Sequence, residues 1–280
     1  MHSGLVKYFK ERVFMDLGLA RWVSAASMAI AATTGGQALA APVMPDFDNA
    51  PSGWSVDRYA PASFADVGTF QGRNNVLGIG INSSTDSANR PGGQQGSFYN
   101  TQGMKQQISG GAGSVLSADL YIDSAWRSGT AGYVRSDIWG TMADSASSIT
   151  AYAIAGFTNY AGAARLRVYD ADVAGGWVDL SNTVLYDAWN SFSIALGSSS
   201  FDYFVNGVLA YSDTTIGTST QFKEAMVQAY NFNDPAMQIS GNPAYNVHWS
   251  NTQAAQVPEP SSLALIGLSL GLLGFARRRG

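Results

Sequence analysis

Cysteine is absent from the 280-residue chain, which removes disulfide staples, thiolate metal sites, thiol nucleophiles and lipobox-type lipid anchors together. Histidine is nearly absent. His2 and His248 are the whole complement, so a histidine-based metal centre has too few ligands. A Ser-His-Asp triad would have to use His248 alone, and no Gly-x-Ser-x-Gly elbow presents a serine to it. Glutamate is scarce where catalysis would need it, since Glu224, beside Lys223, is the sole one between residues 41 and 257. No repeat of fixed period is visible, which disfavours propellers and solenoids. A helix-period stretch of any length is also missing. What is abundant is apolar and aromatic: 46% hydrophobic residues against 13% charged, with 13 Tyr, 13 Phe, 7 Trp and 31 Gly. Such a composition can build a core and excludes intrinsic disorder and collagen-like repeats.

The two ends read as addresses. Residues 1–40 have the layout of a secretory signal: Lys7, Lys10, Arg12 and Arg21 form a positive region, Trp22 to Thr34 is uncharged, and Ala38-Leu39-Ala40 precedes Ala41 as a small-x-small cleavage pattern. Met15 could serve as an alternative start, because Met15 to Ala40 already makes a complete signal. Export through the Sec translocon, with cleavage by signal peptidase, is the expectation. At the other end, Ser261 to Ala276 is apolar and ends on Arg277-Arg278-Arg279. At ~1.5 Å per residue such a helix covers ~24 Å, just enough to cross a thinned bilayer, with the arginines fixing its C-terminus on the cytoplasmic side. The prolines of Val257-Pro258-Glu259-Pro260 bar a helix from starting before Ser261.

This tail, Val257-Pro258-Glu259-Pro260 followed by the apolar segment and Arg277, Arg278 and Arg279, resembles the PEP-CTERM sorting signal of exopolysaccharide-producing Gram-negative bacteria. The resemblance covers residues 257–280. It implies a substrate of exosortase, held in the inner membrane by its C-terminal helix and then passed to the cell surface or the extracellular matrix. It assigns no activity to the exported part.

Residues 41–256 are expected to form one all-β domain. Leu116, Ala118, Leu120 and Ile122 alternate with polar residues, as do Leu166 and Val168, and Phe192, Ile194 and Leu196 alternate with small residues. This period of two belongs to half-buried strands. Asn206-Gly207 between Val205 and Val208 is a strong hairpin signal, because both turn positions need a positive φ. Gln221 to Ala229 fits a strand or a short turn. Two antiparallel sheets packed face to face are the expected architecture, a jelly-roll sandwich flanked by the signal peptide and the transmembrane helix. Between residues 41 and 257, nine positive and seventeen negative side chains leave a charge near −8, which argues against nucleic acid as a partner.

The order Trp189 to Ile194, then Phe201 to Val208 around Asn206-Gly207, resembles the paired strands of concanavalin A-like and laminin G-like jelly rolls. That resemblance implies a fold used by lectins, glycan-binding modules and glycosidases. Glucanases of this kind carry Glu-x-Asp-x-x-Glu on one strand, and nothing here matches it, so the protein is expected not to be an enzyme. A polysaccharide-degrading hydrolase or lyase using aspartates, and a structural matrix protein that associates with itself, are the alternatives.

Sugar binding needs flat aromatic faces beside planar polar groups. Tyr133, Arg135, Asp137 and Trp139 would share one strand face, and Arg165, Arg167 and Tyr169 offer a similar one, which Gln228 with Tyr230 or His248 could extend. These are the candidate contacts for an exopolysaccharide, set against the alternative that the rings cover the core rim and the arginines pair with aspartates. Asp46 and Asp48, and Asp170 and Asp172, are candidate ligands for a structural calcium, since closely spaced carboxylates suit a hard cation, although aspartates also cap turns on their own.

Overall fold

The computed structural model describes residues 53–82, 84, 88, 90–233, 239 and 241–256. The signal segment with Ala38, Ala40 and Ala41, the aspartates Asp46 and Asp48, and the tail from Val257 onward lie outside the described residues. Among the described residues no helix is long and apolar enough to cross a membrane; the proposed 261–276 span is not among them.

Fourteen strands follow one another: β1 Ser55–Asp57, β2 Ser63–Asp66, β3 Leu77–Ile81, β4 Thr101–Gly110, β5 Ser114–Ile122, β6 Arg135–Ala143, β7 Ile149–Thr158, β8 Arg165–Tyr169, β9 Trp177–Asp179, β10 Ala188–Leu196, β11 Phe201–Val205, β12 Val208–Asp213, β13 Gln221–Tyr230 and β14 Tyr245–Gln256. They make two seven-stranded antiparallel sheets. The first has the order β1-β4-β13-β6-β7-β8-β9 and the second β12-β11-β10-β5-β14-β3-β2. The expected two-sheet antiparallel sandwich is therefore what the chain forms.

Alternation explains the core. Leu116, Ala118, Leu120 and Ile122 of β5 and Phe192, Ile194 and Leu196 of β10 point inward from the second sheet, and Ile138, Ala153, Ala155, Leu166, Val168, Val227 and Ala229 meet them from the first. The β11–β12 hairpin turns at Asn206 (φ 50°) and Gly207 (φ 77°), both left-handed as the sequence requires. Gln221–Tyr230 is a strand, and its ambiguity has a cause. A register shift between Phe222 and Glu224 turns Phe222 into the core while Glu224, Met226, Gln228 and Tyr230 stand on the other face, so no single period runs through the segment.

Three aromatic side chains of the second sheet cross the sandwich and end on polar atoms of the first. The Trp249 indole donates to Ser136 Oγ (3.0 Å), and that hydroxyl donates to the Gln228 carbonyl (2.7 Å). The Tyr245 hydroxyl accepts the Tyr230 N–H (3.1 Å) and donates to the Tyr230 carbonyl. The Tyr203 hydroxyl donates to the Tyr169 carbonyl (3.2 Å). Burial pushes both tyrosine hydroxyls well above their ordinary pKa, so they remain protonated donors.

His248 is on β14, on the outer face of the second sheet, so it does not extend the Arg165, Arg167 and Tyr169 face as expected. The β2–β3 loop folds over it: Phe70 stacks on the imidazole (3.8 Å between centroids) and meets Tyr121 and Trp189 edge-on. Arg73 lies over Trp189 and pairs with Asp119 (2.5 Å). A strand-parity argument on β14 alone could not have found which sheet it joins.

Two outcomes follow. Tyr245→Phe leaves the Tyr230 amide without its buried acceptor and is expected to lower stability by about 1–3 kcal/mol, read as a shifted denaturant midpoint at unchanged slope. Burial under Phe70 pushes the His248 imidazole below its usual pKa. The unfolded chain then binds this proton more readily than the folded one, so the stability is complete above pH ~6.5 and declines as pH falls below it. In melting experiments from pH 7 to 5, His248→Phe should show a shallower decline than wild type.

Candidate functional site

The outer face of the first sheet is where the sequence candidates meet. Strand register lines up Met226, Trp139, Ile154, Tyr169 and Trp177 across β13, β6, β7, β8 and β9. Met226, Trp139 and Ile154 form an apolar cluster separate from the core, with Tyr152, Tyr169 and Trp177 packed on it. Side chains that would be solvated on an ordinary sheet face are thus stacked into a platform. Tyr152 meets Trp139 edge-on at 5.8 Å, and Tyr169 meets Trp177 edge-on at 5.3 Å. At one side the short turn Ser97–Asn100 raises Phe98, which is half exposed, 6.5 Å from Trp139. Ser97, Phe98, Thr101, Arg135, Tyr230 and the platform enclose a cleft of about 290 Å³.

The adjacent register row is polar: Asp57, Gly103, Gln228, Asp137, Gly156, Arg167 and Asp179. Gly156 is required there. A Cβ on it would lie 2.3 Å from the Ser136 carbonyl and 2.5 Å from Asp137 Oδ1. The Ser136 carbonyl and the Asp137 carboxylate close in on that position, so only a glycine leaves room for them between Asp137 and Arg167.

Charge along this face is desolvated and mostly paired. Arg135 Nε binds Asp137 Oδ2 at 2.6 Å, and its guanidinium lies over Trp177 and Tyr230. Arg58, held in a left-handed conformation (φ 50°), lies over Phe98 and Trp139 and pairs with Asp57 at 2.8 Å. Gln228 joins that pair, donating to Asp57 (2.6 Å) and accepting from Arg58 (3.0 Å). Burial raises the Asp57 carboxyl and lowers the Arg58 guanidinium, against their mutual attraction. Glu224 accepts from Gln107 (2.6 Å) and pairs with Lys105 (3.2 Å). Arg167 stacks on Trp177 at 3.7 Å, and burial pushes its guanidinium down to about 9, still charged at neutral pH.

Of the sequence candidates, Arg135, Asp137, Trp139, Arg167 and Tyr169 thus come together, with Gln228 and Tyr230 beside them. Tyr133 precedes β6, and its ring packs on Tyr160 and Phe232 instead. Arg165 is tied to the exposed Asp179 (2.7 Å) and to the Tyr160 carbonyl. Phe98, Tyr152, Trp177 and Arg58 carried no signal in the sequence. Phe98 sits in a turn, Trp177 in a three-residue strand, and Arg58 just after one, so these three belong to no readable alternation, while Tyr152 lies in β7 among Ala151, Ala153, Ile154 and Ala155, which make both faces of the strand apolar.

Asp170 and Asp172 lie at the β8–β9 turn with Asp213, which the sequence had not joined to them, one carboxylate oxygen of each within 4.8 Å of the others. Their oxygens serve local structure: Asp170 accepts the Asp172 N–H (2.8 Å) and the Tyr211 hydroxyl (2.6 Å), and Asp213 accepts from Thr215. That bond to Asp170 pushes Tyr211 up to about 12.

Residues 256–279 match the PEP-CTERM protein-sorting motif. The motif points to an exported protein sorted to the cell surface and processed by exosortase. Compared by sequence with curated proteins, the chain matches none. Among solved structures it is similar to a sialidase, at 11% identity and a TM-score of 0.46, covering 78% of this chain but 18% of that one. It is also similar to a Bacillus licheniformis beta-glucanase (14% identity, TM-score 0.45, 76% of this chain and 96% of that one). A third is the carbohydrate-binding module CBM66 from Bacillus subtilis (10% identity, TM-score 0.38, 72% and 95%). The chain spans under a fifth of the sialidase's length.

Gly156→Ala forces Cβ against backbone, which cannot swing aside, and is expected to cost about 1–3 kcal/mol in denaturant unfolding.

Proposed function

We propose that the exported sandwich is a non-enzymatic protein of the cell surface or its matrix that contacts polysaccharide through the Trp139–Trp177 cleft. The observation that carries this reading is the aromatic platform on an outer sheet face, cut off from the core and bordered by guanidinium groups. A pyranose ring presents an apolar C–H face to such rings and a rim of hydroxyls to planar donors and acceptors. A glycan sorted to the same location as the protein is a fitting ligand for the exported domain.

The carboxylates support the non-enzymatic part. Glycoside hydrolysis needs two carboxyl groups about 5–5.5 Å apart, or about 6.5–9.5 Å apart, one of them free to hold a proton. On this face Asp137 is tied to Arg135, Glu224 to Lys105 and Gln107, and Asp57 to Arg58 and Gln228. Asp57 and Asp137 stand three strand spacings apart, ~14 Å between their backbones.

The full chain, held in a detergent without sugar headgroups, can be passed over immobilised polysaccharides as wild type and as Phe98→Ala. Phe98 is 51% exposed, so its truncation should leave the melting temperature unchanged. Its loss should weaken retention by about 1–2 kcal/mol, roughly 5- to 30-fold. A folded wild type retained on no polymer would overturn the reading, and release of shortened chains from any polymer would overturn its non-enzymatic part.

A further inference from the structure

Three arginines stand on neighbouring positions of this face, and two carboxylates serve them. Arg135 has Asp137 and Arg165 has Asp179. Among the described residues Arg167 makes no ion pair and donates no hydrogen bond. It is 8% exposed, and its Nε is buried without a partner. Its one close contact is the Trp177 ring, which the guanidinium meets at 3.7 Å, while the Asp137 and Asp179 carboxylates attract it without forming an ion pair. Asp137 shows the complementary lack: Oδ2 is bound to Arg135, while Oδ1 is buried without a donor, close against the bare backbone of Gly156. A buried cation with no counter-ion in contact is costly, and so is a buried acceptor without a donor. Both costs fall in one place, next to the aromatic platform.

We infer that Arg167, stacked on the Trp177 wall of the cleft, is the anchor for an anionic group carried by the glycan, so that the site selects acidic over neutral polysaccharide. The anion takes the two-pronged contact that a guanidinium offers to a carboxylate or a sulfate ester, and Asp137 Oδ1 accepts from a hydroxyl on the same or the next sugar. The selection is local. The exported part carries a charge near −8, which does not draw a polyanion from a distance, whereas a desolvated cation is little screened by salt once the ligand is seated. This inference rests on the glycan reading above and adds to it the class of sugar.

The test uses the full chain in the same detergent with three probes: polygalacturonate for carboxylate, dextran sulfate for sulfate, and dextran as the neutral arm. Wild type should bind one of the acidic polymers more tightly than dextran, and which one names the source of the charge. Arg167→Gln removes an unpaired buried cation and should fold with an unchanged or raised melting temperature. It should weaken binding of the acidic polymer by about 10- to 100-fold, the worth of a charge-assisted contact, and binding of dextran by much less. Arg167→Lys keeps the charge and loses the planar fork, and a loss of about tenfold or more is expected there too; it decides the matter if the glutamine variant does not fold. Equal binding of acidic and neutral polymers, or a preference that survives in both variants, overturns the anionic anchor and leaves the glycan reading standing. Retention of no polymer at all overturns both.

Discussion

The polar tips of three buried aromatics govern how the two sheets sit on each other. An indole N–H or a phenol buried in a hydrocarbon layer must find a partner or forfeit a few kcal/mol. Trp249, Tyr245 and Tyr203 find theirs on the opposite sheet, at Ser136, Tyr230 and Tyr169. These are strand positions next to Arg135, Asp137 and Gln228, or are themselves part of the cleft. A slide of one sheet over the other would break all three links together, so the core sets the relative height of the strands that carry the outer face. The cleft inherits its geometry from bonds made on the far side of its own backbone.

That dependence explains why so much lies buried on a face that a half-solvated sheet would expose. Gln228, Thr141 and Asp137 are almost inaccessible although they point away from the core. Long flat side chains from neighbouring strands and from the Ser97–Asn100 turn lie down over them, and guanidinium groups fill the spaces between rings. Burial raises the cost of each unpaired charge and strengthens each pair that does form. The Asp57–Arg58–Gln228 triad is such a closed arrangement, with each partner used by the other two.

The fold was legible in the sequence wherever one strand kept one period. β5, β8 and β10 alternate cleanly, and Asn206-Gly207 specifies its turn chemically. The face of β6 was legible for the same reason, with Arg135, Asp137 and Trp139 two residues apart. Legibility stopped where the ladder is irregular or a side chain arrives from outside it. The shift at Lys223 hides Met226, β9 is too short to show a period around Trp177, and Phe98 is delivered by a turn. His248 marks a different limit: parity tells which way a side chain points from its strand, and not which of two sheets that strand has joined. The aspartates behaved likewise, since only the fold brings Asp213 from the end of β12 to Asp170 and Asp172.

β14 is the last described strand, and it lies inside its sheet rather than at an edge, bonded to β3 through Tyr245 to Trp249 and to β5 as far as Gln256. The sorting motif begins at its final residue. Tension applied through the segment after Gln256 would therefore run along the strand axis, at right angles to the inter-strand hydrogen bonds. Those bonds would be loaded together in shear instead of opening one by one like a zip. A domain pulled from the end of β14 would meet mechanical force through a strand held on both sides.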